Sequence, residues 1–391
     1  MGNSLTFEHF IDNKPLYYKE IDHKRVHNAY TILKEHIKRP LTIHVVGTNG
    51  KGSTGRIMAT LLHFAGKNVG HFSSPHILKF NERIWLNGQD ISDGELDIIH
   101  RKLYTILGQE MSESLSYFEY TTLLAFVAMQ EMDVMVLEAG LGGEFDATNV
   151  VKKELSVITP IGFDHQDFLG ESIEEIAETK LNSIDKQVLL GLQIYDEVYS
   201  IADKIAKKRK SLLYQVEKYE DKELLIKTQE LGWANYLYEN SKLGLKALDI
   251  LNLPYNINDL EKVTLFGRFY EIDKNVTIDV GHNLLATKAL VKAIEEKYNN
   301  KKIVLVYNSL EDKDYEAILK LFKPLIKWVE IINIDTDRAV KEEKLRNILD
   351  KLDIKYQEFN LLDKHNNYFV FGSFYVIEAF LKKTKFSIKN K

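Results

Sequence analysis

The chain contains no cysteine. Disulfide cross-links, thiolate metal sites and thiol nucleophiles are therefore excluded. No run of about 18 apolar residues occurs, so no segment reads as a membrane-spanning helix. No signal-peptide core is read after Met1 either. Positive charge is not in excess: 52 Lys and Arg stand against 57 Asp and Glu, a net charge of −5, which argues against a general nucleic-acid-binding face. Internal repeats and low-complexity stretches are missing too. What remains is a globular chain of 391 residues, 45% hydrophobic and 28% charged, long enough for two domains. A cytoplasmic, monomeric protein is the expectation. The start Met1-Gly2-Asn3-Ser4-Leu5-Thr6 fits an N-myristoylation pattern, and the end Lys382–Lys391 is basic. Both read as ordinary solvated termini.

One stretch organises the rest. Leu41–Val46 (LTIHVV) reads as a buried parallel strand, and Thr54–His63 as an amphipathic helix. Between them lies Gly47-Thr48-Asn49-Gly50-Lys51-Gly52-Ser53. Strand, glycine-rich turn and helix form the layout of a phosphate-binding loop, in which backbone N–H groups and the helix N-terminus face an anion. Lys51 would bring a full positive charge to the β- and γ-phosphates, and Ser53 a hydroxyl for Mg²⁺. The spacing is not the standard G-x-x-x-x-G-K-[ST]: its first glycine would fall on Val45, and Gly52 separates Lys51 from Ser53. An ordinary glycine turn is the competing reading.

Further along, Ile21–Lys38 reads as a helix, Asn68–Ser73 as a strand, and Ser74–Trp85 as a loop over the site. Ser92–Leu107 and Phe118–Gln130 read as helices, with Ser92 and Glu95 as a capping box. Asp133–Leu137 is a buried strand that ends at Glu138. A carboxylate at a strand's C-terminal end, opposite a phosphate loop, is placed like the Walker-B acid that holds Mg²⁺. Leu155–Thr159 is the next strand and leads into Asp164-His165, a pair suited to metal or phosphate binding, or to structural hydrogen bonding. Glu171–Asn182 reads as a helix carrying Lys180, Gln187–Gly191 as a strand, and Tyr195–Leu251 as mixed and helical. A doubly wound α/β domain follows from this series. Asn252–Asn258 is the linker candidate. Strands at Val276–Asp279, Ile303–Tyr307, Val329–Ile334 and Tyr368–Phe371 then predict a second, smaller Rossmann-like α/β domain. The expected division is 1–256 and 257–391.

Several blocks together carry a family likeness: HVVGTNGKGST (His44–Thr54), SSPHILKFNERI (Ser73–Ile84), VLEAGLGGEFDATNV (Val136–Val150), TPIGFDHQDFLG (Thr159–Gly170), GRF (Gly267–Phe269), DVGHN (Asp279–Asn283), LEDKD (Leu310–Asp314) and FGSFY (Phe371–Tyr375). In this order they resemble the folylpolyglutamate synthase/dihydrofolate synthase family of the Mur ligase superfamily. The resemblance implies an ATP- and Mg²⁺-dependent ligase. A substrate carboxylate attacks the γ-phosphate, and the amine of L-glutamate then displaces phosphate from the acyl phosphate. It implies nucleotide binding by Gly47, Thr48, Asn49, Gly50, Lys51, Gly52, Ser53 and Thr54, with Asn240 near the base, Arg268 and His282 at phosphate, and Asp279 at the ribose. One Mg²⁺ would sit on Ser53 and Glu138, and a second on Ser74, His165 and Glu138. Lys51, His165, Lys180 and His282 are the catalytic candidates. Lys180 aligns with a family lysine that is often carbamylated, although Thr179 replaces the usual neighbouring acid. Tyr236-Leu237 stand where the family usually has His-Gln. Asp146-Ala147 resemble members that accept dihydropteroate, so 7,8-dihydropteroate is the first expected acid and tetrahydrofolate polyglutamates the second. A Mur-type ligase for a non-folate acid, and a nucleotide-binding protein without turnover, are the alternatives.

Overall fold

The computed structural model describes residues 6–15, 22–299 and 301–386. Residues 1–5 of the myristoylation-like start, 387–391 of the basic end and Ile21 at the head of the first expected helix lie outside the described residues. Among the described residues, no helix is long and apolar enough to cross a membrane.

Contacts divide the chain into two units. The first comprises residues up to Ile161, Glu171–Asp221 and Asn240–Val263; the second comprises Gly162–Gly170, Lys222–Glu239 and the chain from Thr264 on. Residues 162–170 and 222–239 therefore group with the second unit, whereas a single boundary at 256/257 leaves them in the first. The cause is local. Asp164 bonds to Asn283 and Lys313, and Ala234 and Tyr236 pack on the second unit's core.

The first unit is built on an eight-stranded sheet: β1 (Leu41–Val46), β2 (Val69–Phe72), β3 (Ile84–Leu86), β4 (Gln89–Asp90), β5 (Val134–Glu138), β6 (Leu155–Ile158), β7 (Gln187–Leu190) and β8 (Leu212–Gln215). The order across the sheet is β4-β3-β2-β5-β1-β6-β7-β8. β2, β5, β1, β6, β7 and β8 pair in parallel, while β3 pairs antiparallel with both β2 and β4 and alone runs against the rest. Covered parallel strands need apolar residues on both faces: Ile43, Val45, Val46, Val136 and Leu137 are fully buried. The helix Tyr117–Met129 is apolar nearly all round and accordingly buried. Ser92 does cap the helix Asp93–Ser114 in a box with Glu95. The expected loop 74–85 is in part structure: Phe80–Arg83 is a 3₁₀ turn and Ile84–Leu86 pairs with β2.

The second unit has six strands: β9 (Tyr270–Asp273), β10 (Val276–Asp279), β11 (Ile303–Tyr307), β12 (Ile326–Ile331), β13 (Tyr356–Glu358) and β14 (Tyr368–Phe371). Their order is β13-β12-β11-β14-β10-β9, parallel except for β9. Its core is aromatic, with the rings of Phe369 and Phe371 stacked 5.9 Å apart.

The helix Lys51–Phe64 lies close on β2. A Cβ at Gly55 would stand 2.5 Å from His71 Nε2, on a side chain that is itself only 1% exposed. Neither element has room to give. Gly55→Ala is expected to destabilise the protein by about 1–3 kcal/mol through overpacking, read as a lower midpoint in urea unfolding.

Candidate active site

The parallel order brings four strand ends to one edge of the first sheet. β1 lies between β5 and β6, with Val45 opposite Glu138 and Val46 opposite Ile158. β1 runs into Gly47, β5 ends on Glu138, β6 leads to Thr159, and β2 leads to Ser73-Ser74. Ligands of open α/β sheets bind outside such ends.

The Gly47–Ser53 turn fits tightly between β1 and the helix Lys51–Phe64. Gly47 has φ 155°, and a Cβ there would meet Thr159 Oγ1 at 2.0 Å. Gly50, at φ 86°, is the helix N-cap. The first i→i−4 bond runs from Thr54 N–H to Gly50 O, 2.9 Å, so the Lys51, Gly52 and Ser53 N–H groups precede the intrahelical ladder, where an anion is favoured. Two distant side chains brace the turn. Lys180, 4% exposed, donates from Nζ to Gly47 O at 3.1 Å. Asn240 donates from Nδ2 to Ser53 Oγ at 2.8 Å, and Ser53 Oγ donates to Gly50 O at 3.1 Å. Lys51 Nζ lies over the turn, donating to Gly47 O and Thr48 O at 3.3 and 3.2 Å. Thr48 and Asn49 donate their N–H groups to Pro160 O, and the Thr54 side chain is fully buried.

Glu138 is 6% exposed and accepts the Ser74 N–H on Oε2 at 3.2 Å. The carboxylate and the serine hydroxyls supply hard oxygen donors suited to Mg²⁺. Among the described residues, no three His, Cys, Asp or Glu side chains gather as a metal cage. One carboxylate with hydroxyls is the donor set of a cation that arrives with nucleotide phosphates and keeps some of its waters, so the residues fit the group.

In the second unit a single carboxylate gathers the polar side chains. Asp164 Oδ1 accepts Lys313 Nζ at 2.5 Å and the His165 N–H at 3.0 Å; Oδ2 accepts Asn283 Nδ2 at 2.9 Å and lies 3.6 Å from His282 Nε2. Burial alone would raise the Asp164 pKa, but His282, His165 and Lys313 hold it well below the carboxylate range. Lys313 also pairs with Asp312, and Asp312 with Arg338, each at 2.9 Å. His165 is in the left-handed region, φ 52° and ψ 42°. Burial lowers its pKa to about 4, despite Asp164 beside it, so its imidazole is neutral at pH 7, as a metal ligand must be.

The Mur ligase middle domain matches residues 45–270, more than half of the chain. The dihydrofolate synthase/folylpolyglutamate synthase of Haemophilus influenzae is 32% identical over 332 residues, 74% of each chain. The chain belongs to the dihydrofolate synthase/folylpolyglutamate synthase family. Among solved structures, Helicobacter pylori folylpolyglutamate synthetase is 39% identical, with a TM-score of 0.80 over 97% of this chain and 98% of that one. The Yersinia pestis bifunctional folylpolyglutamate synthase/dihydrofolate synthase, complexed with AMPPNP and a manganese ion, is 25% identical, with a TM-score of 0.82 over 95% and 96%.

Against the residues this family membership suggests, the structure brings Gly47–Ser53, Ser74, Glu138, Lys180 and Asn240 together in the first unit. His165, His282 and Arg268 belong to the second. Three of the expected polar side chains make hydrogen bonds within the protein. Asn240 stands against Ser53 and Gly50, at the phosphate end of the turn, with its amide engaged there. Asp146 and Ala147 are 7% and 4% exposed. Asp146 accepts the Leu141 and Thr148 N–H groups and the Thr148 hydroxyl at 2.8, 2.9 and 2.5 Å, so it shapes the loop after Glu138 from within. Asp279, expected at the ribose, is 3% exposed and accepts Phe269 N–H, Tyr236 O–H and Gly281 N–H. Lys313 and Asp164 are the residues whose joint role sequence reading missed. Only the charge of Lys313 after an apolar strand pointed to it.

His44 and His71 are buried outright, which holds both well below the ordinary histidine pKa, and burial brings His76 and His165 to about 4. As pH falls below 6.5 the unfolded chain binds protons that the folded chain refuses. Stability is therefore full above that pH and drops toward pH 4, by up to about 1.4 kcal/mol per pH unit for each fully buried histidine. Urea midpoints at pH 7.5, 6 and 5 are expected to fall in that order. Asn240→Ala, which releases the Ser53 hydroxyl, is expected to raise the KM for Mg·ATP about tenfold, the scale of one hydrogen bond to a charged site.

Proposed function

We propose that the protein joins L-glutamate to 7,8-dihydropteroate with ATP and Mg²⁺, giving dihydrofolate, ADP and phosphate, and that it extends tetrahydrofolate polyglutamates by the same chemistry. The observation that carries the reading is the Gly47–Ser53 turn beside Glu138 on adjoining strands. A phosphoryl transfer between two anions depends on positioning and on cations that offset their repulsion.

In this reading the Lys51, Gly52 and Ser53 N–H groups receive the phosphates. Lys51 leaves the Gly47 and Thr48 carbonyls and its ammonium follows the charge moving to the β–γ bridge. The acid's carboxylate oxygen bonds to the γ-phosphorus as ADP leaves. The glutamate amine then adds to the acyl carbon, loses a proton, and expels phosphate as the amide forms. Ser53, Ser74 and Glu138 would hold Mg²⁺, which supplies Lewis-acid charge on the phosphate oxygens when bound. Arg268 and His282 are assigned to phosphate. Lys180 serves by fixing the Gly47 carbonyl. The Yersinia relative was solved with AMPPNP and a manganese ion, which supports an adenine nucleotide and a divalent metal as the ligands. A monomer in the cytoplasm is the proposed setting, in keeping with a cysteine-free chain of moderate net charge.

Lys51→Ala and Glu138→Ala are each expected to lower dihydropteroate-dependent ADP formation by about 10²–10³-fold, the effect of removing one charge stabiliser from a transition state. Coupled-enzyme assay of ADP with dihydropteroate, tetrahydrofolate or no acid reads this directly. Undiminished turnover in Lys51→Ala refutes the loop assignment.

A further inference from the structure

Arg268 stands on a turn whose backbone is fixed on both sides. Gly267 and Phe269 have positive φ, 71° and 46°. A bulky residue such as Phe269 holds that conformation only where its surroundings impose it. Asp279 Oδ2 accepts the Phe269 N–H at 2.7 Å, and the Val280 N–H donates to Gly267 O at 2.9 Å. The turn is thereby tied to the end of β10.

A fixed backbone does not by itself aim an arginine. The side chain is long and flexible, and ordering it when a ligand arrives costs entropy. One contact removes much of that freedom beforehand. The guanidinium lies over the Phe374 ring, its central carbon 5.2 Å from the ring centre, which is within cation–π range. Nη1 also donates to Gly267 O at 3.1 Å. Among the described residues, no carboxylate pairs with this guanidinium, and Nε and Nη2 donate to no protein atom. A ring face sets the plane of a guanidinium and leaves the donors on its edge open, whereas a carboxylate would occupy two of them.

The ring is itself held from behind. It belongs to the first residue of the helix Phe374–Thr384, which follows β14, the strand between β11 and β10. Ser373, 2% exposed, is the helix N-cap and accepts the Val376 N–H on its hydroxyl at 3.2 Å. Phe371 at the end of β14 is fully buried. Phe374, by contrast, is only half-buried, so much of its ring is left to face the cation.

We propose that Phe374 is a positioning residue for Arg268: its ring holds the guanidinium in advance so that the open edge meets a phosphate of the nucleotide. The ring acts on the nucleotide through the arginine alone. The proposal rests on the ATP-dependent ligase reading above.

Calorimetric binding of Mg·AMPPNP tests it without turnover, on the wild type, Phe374→Leu, Phe374→Tyr, Arg268→Ala and the Arg268→Ala/Phe374→Leu double variant. Phe374→Leu keeps an apolar side chain but loses the π-face, and is expected to weaken binding about three- to tenfold. Phe374→Tyr restores the ring and is expected to bind like the wild type. In the Arg268→Ala background, Phe374→Leu is expected to change nothing further, because the cation it serves is gone. Steady-state assay is expected to show the same rise in KM for ATP in Phe374→Leu, with KM for glutamate and dihydropteroate unchanged. Thermal midpoints establish that each variant is folded. Wild-type affinity in Phe374→Leu overturns the proposal, as does a loss of affinity that is equally large with and without Arg268, or a failure of Phe374→Tyr to restore binding. The expected binding pattern in a wild type that forms no ADP with any acid refutes the ligase reading and leaves the positioning role standing. A wild type that does not bind Mg·AMPPNP refutes both.

Discussion

The stiffness of one short turn is the constraint on which the first unit depends. An anion site made of N–H groups works only if those groups already point at the anion, because turning them costs free energy at the moment of binding. Gly47 lies too close to Thr159 for any side chain. The Gly47 carbonyl is held by Lys180 and the Ser53 hydroxyl by Asn240, from segments 133 and 187 residues away. Both braces are buried, where a bond to an ammonium or an amide is stronger than in water and its loss leaves a polar atom stranded. The sheet order performs the remaining step, since placing β1 next to β5 puts Glu138 beside the turn.

Two buried carboxylates in the second unit show how partners decide charge. Burial pushes both upward. Asp164 is surrounded by Lys313 and two imidazoles, and their combined effect carries it below the carboxylate range. Asp279 has mainly neutral donors, with Arg268 as the cation in its surroundings, and burial prevails: its pKa is raised. Burial and the Asp279 charge also push the Tyr236 phenol well above its ordinary value, which keeps it protonated and donating. One acid is thus the hub of an ion network, and the other the fixed acceptor of a loop.

Long apolar strands and glycine-rich turns announced themselves in the sequence. β1, β5, β6, β10, β11 and β14 lie within a residue of where apolar runs place them, because buried parallel strands must be apolar on both faces. The short or half-polar strands did not. β8 is an edge strand with Leu212 61% exposed, β9 alternates between exposed and half-buried, and β3 has three residues behind a proline-containing loop. Residue types at the site were legible, but the direction of their side chains was not. Asp146, Asn240 and Asp279 are each turned toward backbone or hydroxyl partners that only the folded chain brings near. The pairing of Asp164 with Lys313, 149 positions apart, likewise has no local signature.

The interleaving of the two units bears on how the chain can be dissected. Because residues 162–170 and 222–239 lie between stretches of the first unit, no single cut separates the units cleanly. A fragment ending at Val263 would carry both inserts stripped of their packing, with Asp164 deprived of Lys313 and Asn283. Ribosomal synthesis meets the same order: the first unit's phosphate turn is complete in sequence well before the residues that give Asp164 its charge partners have emerged.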